Sequence, residues 1–162
     1  MARLYFTRSG ADRITRQKQE LFDKLKSKQG QKGEAAEIGG NQWHDNFSFE
    51  QLCREEQMVN AQIAEINAKM AEMMVVDEAP TDTTELRIGH IAVLDVDGEV
   101  KTYEVGGFED SEASADPPVI SYLAPLIRPF IGKEQGHTTR LQIAGKTKQV
   151  TLDDIRLPRK EK

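Results

Sequence analysis

Residues able to do chemistry unaided are sparse in this chain, and their spacing argues against a self-contained catalytic site. The single cysteine, Cys53, sits beside Leu52 in a helical pattern with no His or Asp at the spacing of a nucleophile's partners, so it reads as a reduced packing or surface thiol. The three histidines, His44, His90 and His137, are scattered, which argues against a multi-histidine metal site. The acidic run Glu109-Asp110-Ser111-Glu112 has no metal-ligand spacing and reads as a solvated loop. Two features remain. One is the polar turn Gly39-Gly40-Asn41-Gln42-Trp43-His44-Asp45-Asn46, where Asp45 and Asn46 can cap a helix and Trp43 and His44 can pack over its end. The other is the cation run Arg13, Arg16, Lys18, Lys24 and Lys28, which by itself reads as a solvated basic face.

The rest of the composition narrows the class. With 162 residues, 38% hydrophobic and 30% charged, the chain makes one mid-sized domain or two small ones. It has no apolar run near the roughly 18 to 20 residues of a membrane span, and Met1-Ala2-Arg3-Leu4-Tyr5-Phe6 does not open a secretory signal. The expectation is a cytoplasmic protein. A net charge of -5 excludes coating nucleic acid with the whole surface but leaves room for a local basic strip.

Two elements must position the turn. Downstream, Phe49, Leu52, Glu56, Val59, Ile63, Ile66, Met70 and Met73 recur in alternating steps of three and four, a heptad seam that predicts a helix over about 46 to 75. Upstream, Ile14, Leu21, Leu25 and Ala35 form a sparser seam over about 11 to 38, weakened by Lys28, Gly30 and Gly33. The first stretch is basic and the second, through Glu50, Glu55, Glu56, Glu65 and Glu72, is acidic. Opposite signs favour an antiparallel hairpin. At about 1.5 Å per residue, roughly 28 to 30 residues extend about 45 Å, an arm rather than a compact catalytic domain.

The pattern changes after Val76, where a polar, proline-bearing stretch marks a boundary. We expect an arm over 1–78, a linker over 79–86 and a C-terminal domain over 87–162. In that domain, runs 90–96 and 100–105 flank the Asp97-Gly98 turn, and runs 138–143 and 147–152 flank Ala144-Gly145-Lys146. A short strand is expected over 118–121. Leu123, Leu126, Ile127, Phe130 and Ile131 then follow helical spacing, with Pro129 limiting the length. The fold class is α+β.

This order of helical hairpin, polar linker and β-rich domain resembles the bacterial GreA/GreB transcript-cleavage factors. The start, Thr7-Arg8-Ser9-Gly10-Ala11 with Leu21, is similar to the family's entry into its first helix. Ile120-Ser121, Ala124-Pro125-Leu126, Ile131-Gly132-Lys133 and Gly136 are similar to its run of strand, serine-proline turn, short helix and Gly-Lys turn, with Ala124 where the serine stands. Arg54-Glu55-Glu56-Gln57 with Ile63, Ile66 and Lys69 matches the second helix. The resemblance spans nearly the whole chain.

It implies an FKBP-like C-terminal domain that docks on RNA polymerase, with Ala124, Pro125, Ile131, Gly132 and Lys133 as binding residues. It also implies a monomer whose arm enters the polymerase secondary channel, where Arg13, Arg16, Lys18, Lys24 and Lys28 approach nascent RNA. At the tip, two family acids help hold a magnesium ion shared with the polymerase, so the factor is no enzyme itself and keeps no stably bound cofactor. Here the tip is one residue longer. Asp45 matches the second acid and Asn46 the asparagine after it, while the first acid falls on Asn41 or Gln42, so one carboxylate is replaced by an amide. Trp43 and His44 complete the tip contacts. Two other readings are a non-cleaving channel binder that inhibits or regulates transcription, and an FKBP-like peptidyl-prolyl isomerase with a helical arm.

Overall fold

The computed structural model describes residues 3–39 and 47–160. Strand β1 (Leu4–Thr7) leads into helix α1 (Arg8–Gly39), and helix α2 (Phe47–Ala71) leads into strand β2 (Met73–Val76). Strands β3 (Ile91–Val96), β4 (Glu99–Gly106), β5 (Val119–Ser121), β6 (Thr138–Ile143) and β7 (Lys146–Arg156) follow. The α+β class therefore holds, with a helical hairpin before a β-rich half. The chain divides into two compact units, one of Met1–Leu4 with Ala11–Met73, the other of Tyr5–Gly10 with Met74–Lys162.

In the helical unit the two helices run antiparallel. Lys28 pairs with Glu55 at 2.6 Å and Lys32 with Glu56 at 3.1 Å, while Gln17, Glu20 and Lys24 line one cleft with Gln62, Glu65 and Lys69. Positions rise along α1 as they fall along α2. The seam buries Val59, Ile63 and Ile66 from α2 and Ala11 and Ile14 from α1. Its one charged position, Glu56, is answered by Lys32, whose ammonium also lies 5.7 Å from the Phe49 ring centroid. A polar seam position with a dedicated partner fixes register. Gly30 and Gly33 do not interrupt α1, and neither has an atom within 4 Å of an added Cβ. Replacing either by Ala is expected to stabilise the arm by about 1 kcal/mol, read as a raised thermal midpoint of helix loss.

The helix expected up to residue 75 stops at Ala71. The heptad step to Met73 continues on paper, but Met73-Met74-Val75-Val76 forms β2, paired with β1 in a two-stranded sheet. The Leu4 N–H donates to the Glu72 carbonyl at 2.9 Å, and paired valines favour the extended backbone. At the other end α1 starts at Arg8, ahead of the expected residue 11, because the Thr7 hydroxyl accepts the Gly10 N–H at 3.2 Å and caps the first turn.

The second unit is built on a five-stranded sheet in the order β5-β4-β3-β7-β6. Antiparallel ladders join β3 to β4, β3 to β7 and β6 to β7, and β5 lies parallel to β4. Both expected hairpins form. Alternate residues Ala92, Leu94 and Val96 of β3, with Val150 and Leu152 of β7, face a core closed by Tyr122, Ile127 and Phe130. The helix expected across 123–131 is instead a series of tight turns with one 3-10 turn at Arg128–Phe130. Pro125 and Pro129 withhold two amides, so carbonyls at 124 and 127 accept from three residues on, while Ile127 and Phe130 still point inward, fully buried.

Residues 80–90 are tied closely to this sheet. Leu86 is fully buried, its N–H donating to the Lys133 carbonyl at 2.9 Å and its carbonyl accepting the Gly132 N–H at 2.8 Å. His90 is equally buried. Its Nδ1 accepts the Arg87 N–H at 2.9 Å, and its Nε2 lies 2.6 Å from the Asp82 carbonyl, which can only accept, so the proton sits on Nε2. Gly89, at φ +97°, is required where Pro80 crosses, since a Cβ would meet its Cδ at 2.8 Å.

Candidate functional site

The tip residues Asn41, Gln42, Trp43, His44, Asp45 and Asn46 lie outside the described residues. What is described is the frame that carries them: α1 ends at Gly39 and α2 begins at Phe47, while the opposite ends of both helices are joined by the β1–β2 pairing. Beside the tip, the Phe47 ring is largely exposed, with the Arg54 guanidinium carbon 5.9 Å from its centroid.

The basic residues of α1 do not form one uniform stripe. At about 100° per residue, Arg13, Arg16, Lys24 and Lys28 fall within an arc of about 120°, and Lys18 lies on the far flank of the seam. Lys28 is held by Glu55, and the Lys18 ammonium lies 5.8 Å from the Phe22 ring centroid. Arg16 and Lys24 are exposed, whereas Arg13 is half-buried. Bonds from Lys28 and then Gln51 hold the Glu55 carboxyl below its usual range, with Lys24 adding to the effect. Bonding to Glu56, more than any other cause, raises the Lys32 pKa. Glu55 and Lys32 therefore stay charged at neutral pH.

In the sheet unit, Ala124, Pro125, Ile131, Gly132 and Lys133 all belong to the turn segment after β5. The Ala124 carbonyl accepts from Ile127 and Arg128, at 2.9 and 2.8 Å, and Pro125 stands exposed. Ile131 bridges to Leu86 in parallel, and Gly132 takes a left-handed conformation at φ +76° with open space where a Cβ would be. Lys133 is exposed, its carbonyl bound to Leu86. These residues brace the core from one side and present Pro125 and Lys133 to solvent on the other.

Asp110 corrects the reading of 109–112 as a solvated loop. It is buried, with one carboxylate oxygen accepting the Thr7 hydroxyl and the Gly107 N–H, both at 2.8 Å. Beside it, Phe108 donates its N–H to the Tyr5 carbonyl at 2.7 Å and packs its ring 5.3 Å from that of Phe6. Residues 5–7 thus dock on the 106–110 turn. The signal in the sequence was Gly106-Gly107 with an Asp three residues on, a close backbone approach followed by a carboxylate that can collect its amides.

Glu104, on β4, has its carboxyl pushed up by burial first and by Glu112 and Asp110 second. A carboxyl with a raised folded pKa binds more protons folded than unfolded, so its cost is absent below the ordinary Glu value near about 4.3 and grows as pH rises through the folded pKa. Glu104→Gln is therefore expected to raise the urea midpoint at pH 7 and to leave it unchanged near pH 4. A midpoint lowered at pH 7 would contradict this. Among the described residues no group of three His, Cys, Asp or Glu side chains is placed to hold a metal ion, and no helix is long and apolar enough to cross a membrane.

No family model matches the chain. It is 30% identical over 125 residues to a transcription elongation factor GreA of Vibrio parahaemolyticus, covering 75% of this chain and 77% of that protein. A GreA of Roseiflexus is 26% identical over 153 residues, covering 93% and 96% of the two chains. Among solved structures, GreA factor homolog 1 of Thermus thermophilus aligns over 95% of this chain and 99% of that one, at 17% identity and a TM-score of 0.43. On the sequence relationship to the Vibrio factor, the chain belongs to the GreA/GreB family of transcription elongation factors.

Proposed function

We propose that the protein is an accessory factor of bacterial RNA polymerase that stimulates the polymerase's own cleavage of backtracked RNA. The sheet unit docks at the rim of the secondary channel through Ala124, Pro125, Ile131, Gly132 and Lys133. The α1–α2 arm reaches inward, and Arg13, Arg16, Lys18, Lys24 and Lys28 of α1 approach RNA phosphates. It works in the cytoplasm as a monomer. The observation that carries the reading is the arm itself: α1 has 32 residues and α2 has 25, so at about 1.5 Å per residue the paired helices extend roughly 40 Å.

The donors in that segment are hard oxygens, the Asp45 carboxylate and the side-chain amides of Asn41, Gln42 and Asn46, and hard oxygens suit magnesium. One charge is too little for a site of its own, so Asp45 would complete the shell of an ion held chiefly by the polymerase. When bound, such an ion activates water and stabilises the leaving oxygen. The chain's own part is to carry Asp45 to the ion and hold it there.

The amide in place of the first tip acid favours a second reading, a channel binder that regulates without cleaving. A backtracked elongation complex decides between them. Shortened transcripts that appear faster with the protein, across a broad magnesium range, support cleavage. Binding with slowed elongation and no cleavage supports the second reading. Absence of polymerase binding would defeat both.

A further inference from the structure

The packing of the arm changes along its length. Ala11 and Ile14 of α1 and Val59, Ile63 and Ile66 of α2 are buried, but no described residue in 28–35 of α1 or 47–58 of α2 is. In these stretches, which border the tip, the apolar seam is reduced to half-buried positions such as Ala35 and Leu52. Charge takes its place. The Lys32 ammonium donates to Glu56 Oε2 at 3.1 Å and lies 5.7 Å from the Phe49 ring centroid, and Lys28 Nζ stands 2.6 Å from Glu55 Oε2. Glu56 occupies the heptad seam itself, with its side chain 19% exposed and that of Lys32 35%.

The two ion pairs constrain different motions. Lys28 and Lys32 are about one turn apart on α1, whereas Glu55 and Glu56 point about 100° apart round α2, so the pairs lie on opposite flanks of the seam. Sliding one helix along the other stretches both pairs, and rolling one about its axis opens one or the other. Apolar contacts alone would not set this, because hydrophobic attraction is non-directional and tolerates a shifted neighbour. A charged pair at a seam position costs stability relative to well-packed apolar residues and specifies register. Register matters at this end of the arm, since a ligand for a metal ion has to be held within about 0.5 Å of its productive place.

We propose that Lys32 and Glu56 are positioning residues for the tip, fixing the register in which α1 ends and α2 begins and so the place to which Asp45 is delivered. The inference rests on the cleavage reading above and deepens it. Lys28 and Glu55 support the pair from the other flank. Lys32 stands outside the set of cations assigned to RNA, and its partners are a carboxylate and a ring of this chain.

The test uses the full chain in three forms: Lys32→Met with Glu56→Leu, which makes the pair apolar; Lys32→Glu alone; and Lys32→Glu with Glu56→Lys, which exchanges the charges. Transcript cleavage in a backtracked complex is measured at saturating protein, with polymerase affinity and the thermal midpoint of helix loss in parallel. Register is read from the distance between spin labels on Gln31→Cys and Gln57→Cys, both exposed, in a Cys53→Ser background. The apolar form is expected to melt higher, bind polymerase within a few-fold of wild type, give a broadened label distance and cleave at least about fivefold more slowly. Lys32→Glu should also cleave poorly, and the exchanged pair should recover most of the loss. Unchanged cleavage by the apolar form, with an active wild type, overturns the positioning role and leaves the cleavage reading intact. A slowed apolar form that melts lower has lost its fold rather than its register, which also overturns the role. Equal losses in Lys32→Glu and the exchanged pair would make Lys32 a direct contact of polymerase or RNA, against the proposal. A wild type that stimulates no cleavage overturns the reading and the positioning role together.

Discussion

Asp45→Asn is expected to remove the cleavage stimulation of this protein by at least about tenfold while leaving its affinity for polymerase within a few-fold. On the proposed reading, the two amides and one carboxylate at residues 41, 42 and 45 would supply one negative charge to a magnesium ion shared with the polymerase, and the substitution removes that charge while conserving shape. The docking proposed for the sheet unit would be untouched. Asn41→Asp or Gln42→Asp restores a second carboxylate and should raise cleavage, provided the longer tip presents it in place; a displacement of about 1 Å can cost about 100-fold. Undiminished cleavage by the Asp45→Asn protein would assign Asp45 to capping α2. The readout is transcript shortening in a stalled, backtracked complex, with polymerase affinity measured in parallel.

The second large effect is expected at Asp110. Asp110→Ala removes the acceptor for the Thr7 hydroxyl and for the buried Gly107 N–H, leaving that amide unpaired, at a cost of about 1 to 3 kcal/mol. Gly107→Ala reaches the same contact from the other side. An added Cβ would meet the Thr7 nitrogen at 2.7 Å and the Tyr5 carbonyl oxygen at 3.0 Å, backbone atoms that cannot swing away. Both variants should unfold at lower urea than wild type. A fragment beginning at Thr83 should be weakened in the same way, since it lacks Tyr5–Gly10, which belong to the sheet unit. A fragment as stable as one that retains residues 5–10 would show that this docking contributes nothing.

These expectations differ in where they became legible. The heptad seam from Phe49 to Ile66, the glycine turns at Asp97-Gly98 and Ala144-Gly145, and the exclusion of a membrane span were present in the chain as written. Each depends on periodicity or local turn chemistry, which neighbours in sequence suffice to determine. The opposite charges of α1 and α2 also announced their pairing, and Lys28–Glu55 and Lys32–Glu56 bear it out. The reading of Asp45 as a tip acid rests on resemblance alone, because a lone Asp before a helix looks the same in sequence whether it caps or coordinates.

Other features were decided by contacts between residues far apart in the chain. Met73–Val76 continue a helical period and become a strand because Leu4–Thr7 offers them a partner about 70 residues away. The 123–131 stretch keeps the inward-facing apolar spacing of a helix but turns tightly, because two prolines withhold amides and the sheet still buries Ile127 and Phe130. Asp110 has the composition of a loop and the burial of a core residue, since Thr7 and Gly107 converge on it only in the folded chain. Periodicity and local turn chemistry alone therefore established two halves and an arm. The assignment of Tyr5–Gly10 to the C-terminal unit required tertiary structure, because backbone pairing and burial join residues about 100 positions apart and leave no period in the sequence.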